Sequence, residues 1–314
     1  AVLTWNGPRM ISGDEPVMDH WAAALTETRS AIASNSLREL AQSQSLSSPR
    51  LVEHMRNYDN LISSKEGILS QIVEQSTALR VHSVESHDDP IILDWVNFIT
   101  NEYTPPKGLD DILILLPCSA RKPYSASRSH RSFYRAMNHN AAHEVMVTSP
   151  LGLVPRDLEE VWPAGHYDIP VTGNWTADEV NRVSQMIDSL VARNNYRLII
   201  NHSGMDYQCD TPVIDTRQGS SGTNREALAR LGQAVYDNIR VKRRSGEKTN
   251  LDNFKSVARF HHLNDSWLEG VDVRGRIPRW KIMRDGEQIA MWAPERGGFS
   301  LSRAAIPILD SLNS

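Results

Sequence analysis

Apolar positions recur at helical spacing through the first sixty residues. Trp21, Leu25, Ile32, Leu37 and Leu40, then Leu51, His54, Met55, Tyr58 and Leu61, predict helices across 14–62. Between the two groups, Ser47-Ser48-Pro49 supplies an N-cap and a first-turn proline. Residues 64–108 are mixed and end in Thr104-Pro105-Pro106-Lys107-Gly108, a breaker cluster that reads as a boundary, with a catalytic or binding domain beginning there or including the helix just before it. From Asp111 the pattern changes to short aliphatic runs alternating with amphipathic stretches. Residues 112–116, 144–147 and 197–200 are predicted strands, and 176–192 is a predicted helix with Val180, Val183, Ile187, Leu190 and Val191 on one face. Such alternation predicts an α/β fold, an open sheet with crossover helices. Ligands of open sheets bind beyond the carboxyl ends of the strands, which points to the segments starting at Pro117, Thr148 and Asn201. A further helix is expected at 224–238, a hairpin through Lys281-Ile282-Met283, a turn at 284–287 and a strand at 288–292, and a short helix at 301–312. This divides the chain into a mostly helical region (1–104), an α/β core (105–245) and a small α+β domain (246–314).

The 314 residues are 40% hydrophobic and 23% charged, enough for two packed domains and inconsistent with wholesale disorder. No apolar run approaches the roughly 18 residues of a membrane-spanning helix. The N-terminal Ala-Val-Leu-Thr-Trp-Asn-Gly has no export signal, so a cytoplasmic protein without a membrane partner is expected. Two cysteines, Cys118 and Cys209, exclude a disulfide framework and any site of three or four thiolates; no metal motif is visible and no metal is expected. The formal charge of −4 argues against a generic nucleic-acid coat, but its distribution is uneven. Residues 240–284 hold twelve Lys or Arg against five Asp or Glu, a local +7 that leaves −11 on the remainder.

The most chemically loaded stretch runs from Pro117 to His130, directly after the most aliphatic strand. It places a thiol, several hydroxyls, a phenol, cations and an imidazole within fourteen positions, where a structural loop needs only turn formers. Beside Arg121 and Lys122, Cys118 is expected to have a depressed pKa and to act as a nucleophile. From the residues alone it fits equally well as a small apolar plug, and His130 as a helix-cap residue.

The pattern Pro-Cys-x3-Lys-Pro-Tyr-x2-Ser-x2-His, filled by Pro117, Cys118, Lys122, Pro123, Tyr124, Ser127 and His130, resembles the signature of the archaeosine synthases. The resemblance continues through Thr148-Ser149-Pro150-Leu151-Gly152-Leu153-Val154-Pro155-Arg156 to Glu160, then Pro163-Ala164-Gly165-His166-Tyr167-Asp168 and Val171-Thr172-Gly173. It implies a core similar to the uracil-DNA glycosylases. It also implies a tRNA substrate whose D-loop already carries 7-cyano-7-deazaguanine (preQ0), with free L-lysine as co-substrate and no cofactor. The reaction it implies adds the side-chain amine of lysine to the nitrile, with a radical SAM enzyme acting on the adduct downstream. Full-length members carry a transglycosylase-like barrel and an RNA-binding PUA domain, so a partner chain bearing such parts is expected.

A nitrile carbon is a weak electrophile, so amine addition needs a deprotonated nucleophile and a proton donor for the developing nitrogen. In one route Cys118 adds first and lysine displaces it. In another lysine attacks directly while Tyr124, His130 or Lys122 supplies the proton. Cys118, Lys122, Tyr124, Ser127 and His130 are therefore the candidate catalytic residues. Ser119, Thr148, Ser149, Gly152, Arg156, Glu159, His166, Tyr167 and His202 are the candidate substrate-binding residues. Glycine at 152 offers close approach to a flat base or, equally, a tight turn leading into a helix started by Pro155. Asp157, Glu159 or Glu160 is expected to hold the α-ammonium of lysine, and His166 and Tyr167 to stack on a base. Lys242, Arg243, Arg244, Arg274, Arg276 and Arg279 are candidate tRNA phosphate contacts, or the solvated end of a helix. The competing readings are a non-catalytic tRNA-binding subunit, a nucleobase glycosylase and a nitrile hydrolase.

Overall fold

The computed structural model describes residues 2–4, 7–9, 17–34, 36–45, 49–63, 79–81, 85–168, 175–260, 272–276, 279–284, 286–293 and 298–301. At the N-terminus, β1 (Val2–Thr4) and β2 (Gly7–Arg9) pair antiparallel, followed by α1 (Val17–Ala33), α2 (Leu37–Ser45) and α3 (Pro49–Ser63). Pro49 is the first residue of α3, where its missing N–H costs no hydrogen bond. The strand β3 (Leu79–Arg80) precedes α4 (Pro90–Asn101), whose N-cap Asp89 accepts from the Ile91 N–H at 3.0 Å.

The central sheet contains β4 (Ile112–Pro117), β5 (His143–Thr148), β6 (Gly152–Pro155), β8 (Leu198–Asn201) and β9 (Val213–Asp215), in the order β6-β5-β4-β8-β9. The β5–β4, β4–β8 and β8–β9 pairings are parallel, while β6 returns antiparallel on β5. The short β7 (Tyr167–Asp168) pairs instead with β3. Between the strands lie α5 (Arg128–Met137), α6 (Ala177–Arg193) and α7 (Arg225–Asn238), with α8 (Gly246–Phe260) after them.

Residues 112–116 of β4 are each at most 1% exposed, which requires cover on both faces of the strand, the environment of a continuous aliphatic run. Packing of α4 on α6 and of α5 on α7 supplies it. The helix expected at 176–192 forms as α6, started by a reciprocal capping box between Thr176 and Glu179.

Several elements depart from the pattern-based reading. Residues 152–155 form the antiparallel strand β6, and the helix expected after Pro155 is a single 3₁₀ turn, Arg156–Leu158. Val213–Asp215 adds an edge strand too short to show periodicity. The helix before the 104–108 boundary is α4, whereas α8 was not anticipated; Ile92, Trp95 and Ile99 of α4 and Phe254, Val257 and Ala258 of α8 join the sheet's core cluster. The Trp95 indole donates to the Leu153 carbonyl at 3.0 Å, and Phe260 meets the Trp95 and Phe98 rings at 5.5 and 5.0 Å. The packed unit thus reaches beyond both ends of the interval 105–245. At the C-terminus β10 (Asp272–Arg276), β11 (Arg279–Arg284), β12 (Glu287–Ala293) and β13 (Gly298–Leu301) make an antiparallel meander that includes the expected hairpin. The helix expected at 301–312 begins on the last residue of β13 and otherwise lies outside the described residues.

Phe254 is fully buried, so Phe254→Ala is expected to lower unfolding stability by about 3–5 kcal/mol. Urea denaturation measures this. A loss under about 1 kcal/mol would mean that α8 is not part of the cooperative core.

Candidate active site

Because β4 ends at Pro117, the loaded loop starts at the carboxyl end of the central strand, between the ends of β5 and β8. Cys118 is half-buried there. Burial pushes its thiol pKa up, against the Lys122 ammonium and the Thr148 hydroxyl, which pull it down. This corrects the expectation of a depressed pKa. Arg121 points its charge at solvent, and desolvation outweighs the lysine.

Three hydroxyls continue inward from the thiol. The Thr148 hydroxyl lies 2.5 Å from that of Tyr167, which in turn bonds to the hydroxyl of Tyr124. All three residues are buried. Burial raises both phenol pKa values far above neutrality, so the phenols stay protonated and act as hydrogen-bond donors. The Lys122 Nζ sits 3.9 Å from the centroid of the Tyr167 ring, a cation–π contact that keeps the ammonium beside the thiol.

A second network fixes the loop. Ser127 is the N-cap of α5, its hydroxyl accepting from the His130 N–H at 3.2 Å. The His130 Nε2–H donates to the Pro117 carbonyl at 3.0 Å, while Nδ1 accepts from the Arg156 guanidinium at 3.0 Å. Burial and the Arg156 charge push the His130 pKa down to about 2, so the imidazole is neutral. Arg156 also donates to Glu144 Oε2 at 3.0 Å and to Glu159 Oε2 at 2.8 Å, and Glu159 Oε2 accepts from the Ser125 N–H at 3.0 Å. Ser127, His130, Arg156 and Glu159 therefore hold the loop in place. With both nitrogens engaged and no proton to lose near neutrality, His130 is poorly suited to general acid catalysis.

The other candidates divide similarly. Ser119 donates to the Arg121 carbonyl at 3.0 Å, within the loop. Ser149 donates to Glu179 at the start of α6. Gly152 has φ +72°, and a Cβ there would lie 2.1 Å from the Met186 sulfur; the missing side chain admits α6, not a base. Tyr167 is buried, its ring face covered by Lys122, and is not a stacking platform. His166 is half-buried and its carbonyl accepts from the Leu79 N–H at 2.8 Å. His202 is fully buried: Nδ1 meets the Thr216 hydroxyl at 2.7 Å and Nε2 the Gly222 carbonyl at 2.8 Å, tying β8 to the loop after β9. Asp157, Glu159 and Glu160 are all buried, which places them badly for capturing a free amino acid.

Of the basic candidates, Lys242 and Arg243 are exposed, whereas Arg244 is largely buried in an ion pair with Asp252. The side chains of Arg274, Arg276 and Arg279, and residues 171–173, lie outside the described residues. Among the described residues no cluster of three or more His, Cys, Asp or Glu is arranged to hold a metal, and no helix is long and apolar enough to cross a membrane.

Two features escaped the sequence reading. A cavity of about 630 Å³ lies beyond β8 and β9, lined in part by Asn201, Met205, Tyr207, Cys209, Asp215 and Arg217. At the opposite end of the sheet the Tyr196 hydroxyl bonds to His143 Nδ1 at 2.5 Å, His143 Nε2–H to Tyr103 at 2.8 Å, and Tyr103 to Asp157 at 2.8 Å. Burial pushes the His143 pKa down to about 3. Isolated polar letters in apolar surroundings were the only sequence signal for this chain of bonds.

Comparison with known proteins adds to this geometry. Residues 92–235 match a family model described as a domain of unknown function, DUF5591. The chain is 30% identical over 281 residues to archaeosine synthase subunit alpha of Thermoplasma acidophilum, covering 88% of this chain and 53% of that protein. It is 37% identical over 292 residues to archaeosine synthase of Haloferax volcanii, covering 89% and 49%. It is 31% identical over 301 residues to archaeosine synthase subunit alpha of Methanosarcina acetivorans, covering 89% and 48%. The resemblance carried by the motif thus extends over most of the chain, and the chain spans about half the length of these relatives. A crystal structure of AF0587, a protein of unknown function, shares the fold with a TM-score of 0.55 at 20% identity, over 70% of this chain and 75% of that one.

Two outcomes follow. Arg156→Ala leaves Glu144 and Glu159 buried without their cation and is expected to cost about 3 kcal/mol in urea denaturation. A cost below about 1 kcal/mol would deny the network its holding role. Below pH 6.5 the unfolded chain takes up protons at positions 130 and 143 that the folded chain refuses. Stability is therefore expected to fall as pH drops from 6.5 to 5, by up to about 1.4 kcal/mol per pH unit for each histidine. His143→Gln should make that slope shallower; an unchanged slope would contradict the burial argument.

Proposed function

We propose that this chain, similar over most of its length to the archaeosine synthases, adds the side-chain amine of free L-lysine to the nitrile of preQ0 in tRNA. The observation that carries the reading is the half-buried Cys118 thiol at the end of the central strand, flanked by the Lys122 ammonium and backed by the Thr148, Tyr167 and Tyr124 hydroxyls. A motif match alone fits many loops. A thiol, a held cation and neutral donors gathered at one strand end fit addition to a nitrile.

The Lys122 ammonium and the Thr148 hydroxyl beside the sulfur support the covalent route, since both favour the thiolate against the burial that keeps Cys118 protonated at rest. A neutral Cys118 carries the proton that the nitrile nitrogen must gain. Addition of S–H across the carbon–nitrogen triple bond forms the C–S and N–H bonds of a thioimidate. The deprotonated lysine amine then attacks that carbon, the C–S bond breaks, and the proton shed by the amine returns to sulfur, leaving an amidine. Lys122 and the hydroxyl of Thr148 stabilise negative charge developing between sulfur and nitrogen. Tyr124 and Tyr167 keep Thr148 oriented, and His130, Arg156 and Glu159 keep the loop in place. In this proposal the reaction takes no cofactor.

Some relatives are named as a subunit alpha. On that ground we propose that this chain works with a second chain or segment, transglycosylase-like or PUA-bearing, and that a radical SAM enzyme acts on the product. The likeness of the core to uracil-DNA glycosylases and the cytoplasmic setting belong to the same proposal.

Nucleoside mass spectrometry on preQ0-containing tRNA incubated with the protein and lysine tests the reaction. The modified nucleoside is expected to gain the mass of lysine, and Cys118→Ala to abolish the gain. With lysine withheld, intact-protein mass should rise by that of the tRNA-linked or free preQ0 adduct. Adduct formation by Cys118→Ala would overturn the covalent route in favour of direct attack. Release of free base, or conversion to an amide without lysine, would replace the proposal with the glycosylase or hydrolase reading. No change in the presence of a transglycosylase-like partner would leave a binding subunit.

A further inference from the structure

Helix α5 begins where the motif loop ends, at Ser127, and its sequence is Arg-Ser-His-Arg-Ser-Phe-Tyr-Arg-Ala-Met. Its buried residues, His130, Phe133 and Met137, follow one another at three and four positions and face the core. Arg128, Arg131 and Arg135 repeat with the same spacing on the opposite side and are all exposed. The helix contains no acidic residue. Three like charges on one face repel each other, and two of them sit in the first turns, where the helix dipole is already positive. Arg131 donates to the Ala126 carbonyl at 2.8 Å and Arg135 lies in the last turn, where a cation suits the dipole, yet no carboxylate of the helix balances the three charges.

Tertiary structure adds a second basic segment to this face. Asn140, just past α5, donates to the Arg244 carbonyl at 3.1 Å and accepts from the Arg244 N–H at 2.8 Å, while His139 Nε2 meets the Val241 carbonyl at 3.1 Å. These bonds pin 241–244 to the end of α5. Arg243 then lies over the Tyr134 ring, 5.5 Å from its centroid, and bonds to the Tyr134 hydroxyl. Tyr134 is itself 46% exposed, and Lys242 is exposed beside it. Segments more than a hundred residues apart in sequence thus form one cationic surface with an exposed aromatic, on a chain whose net charge is −4.

We propose that this face, formed by Arg128, Arg131, Arg135, Tyr134, Lys242 and Arg243, holds the phosphodiester backbone of the RNA substrate and so sets the approach of a base to Cys118. The inference rests on the proposed action on tRNA. Guanidinium groups suit it because their planar forks match phosphate oxygens. A basic surface on an otherwise acidic protein also steers a polyanion to one side. The Lys242 and Arg243 candidates of the sequence reading are thereby joined to α5, whereas Arg244, held by Asp252, belongs to the pin.

The test is equilibrium binding of unmodified tRNA by the full chain at several salt concentrations. The triple variant Arg128→Gln, Arg131→Gln, Arg135→Gln is compared with Arg197→Gln, which removes an exposed arginine that is not part of the proposed face and is held by Asp111 and the Asn238 carbonyl. Each lost phosphate contact should reduce the slope of log K against log salt by about one, so the triple variant is expected to be shallower by two to three and the control unchanged. Thermal melting checks that all variants fold. An unchanged slope and affinity in a folded triple variant, or no tRNA binding by the wild type, would overturn the inference. The two proposals separate cleanly. Slope loss without lysine adduct keeps this surface and discards the reaction, while normal adduct formation with an unchanged tRNA KM in the triple variant does the reverse.

Discussion

One guanidinium holds the candidate site together. Arg156, placed by the turn after β6, reaches Glu144 on β5, Glu159 in its own turn and His130 on α5. Through His130 it controls the Pro117 carbonyl, and through Glu159 the Ser125 N–H, so both ends of the loop carrying Cys118 hang from one cation. A planar five-donor fork does this where an ammonium would not, because three acceptors must be met in fixed directions. Its neighbours are chosen accordingly. Two carboxylates supply the charge balance, and the third partner is an imidazole kept neutral by burial and by the same positive charge that binds it.

Holding and reacting are thereby assigned to different chemistry. The Arg156 network is ionic and fixes backbone position. The Thr148, Tyr167 and Tyr124 chain is neutral and surrounds the thiol with hydroxyl groups whose pKa values lie too high for ionisation. Ionic groups packed directly against Cys118 would have fixed its protonation state. Lys122 is the exception, its ammonium resting on the face of the Tyr167 ring. Its charge partly offsets the desolvation that raises the thiol pKa.

The alternation of aliphatic runs and amphipathic helices was legible because β4, β5 and β8 carry uninterrupted apolar runs and α6 is long enough to show a period. Asp89-Pro90 was also a readable start signal for α4, overlooked inside a stretch of mixed composition. Strands of three and four residues, β9 and β6, are fixed by pairing with neighbours and carry no period of their own. At the site, the motif located Cys118 and its loop, but residue types did not separate chemistry from support. Histidine at 130 and at 202 looked reactive as a letter. Burial and two satisfied nitrogens make each a structural tie, and neither property is local in sequence. Desolvation likewise reversed the expected direction of the Cys118 pKa, since neighbours in sequence supply charge but neighbours in space decide exposure to water.

The same distinction governs α5, the element on which both proposals meet. Its inner face contributes His130 to the network that fixes the loop, and its outer face carries Arg128, Arg131 and Arg135. A helix in which one side positions the loop of Cys118 and the other presents three cations couples the two rigidly, with no hinge between them. Backbone placement on the outer face would then translate into base placement at Cys118 to within the rigidity of a ten-residue helix. The internal repulsion of the arginines is offset by the core contacts of Phe133 and Met137, so the cost falls on packing, which the buried sheet supplies in excess.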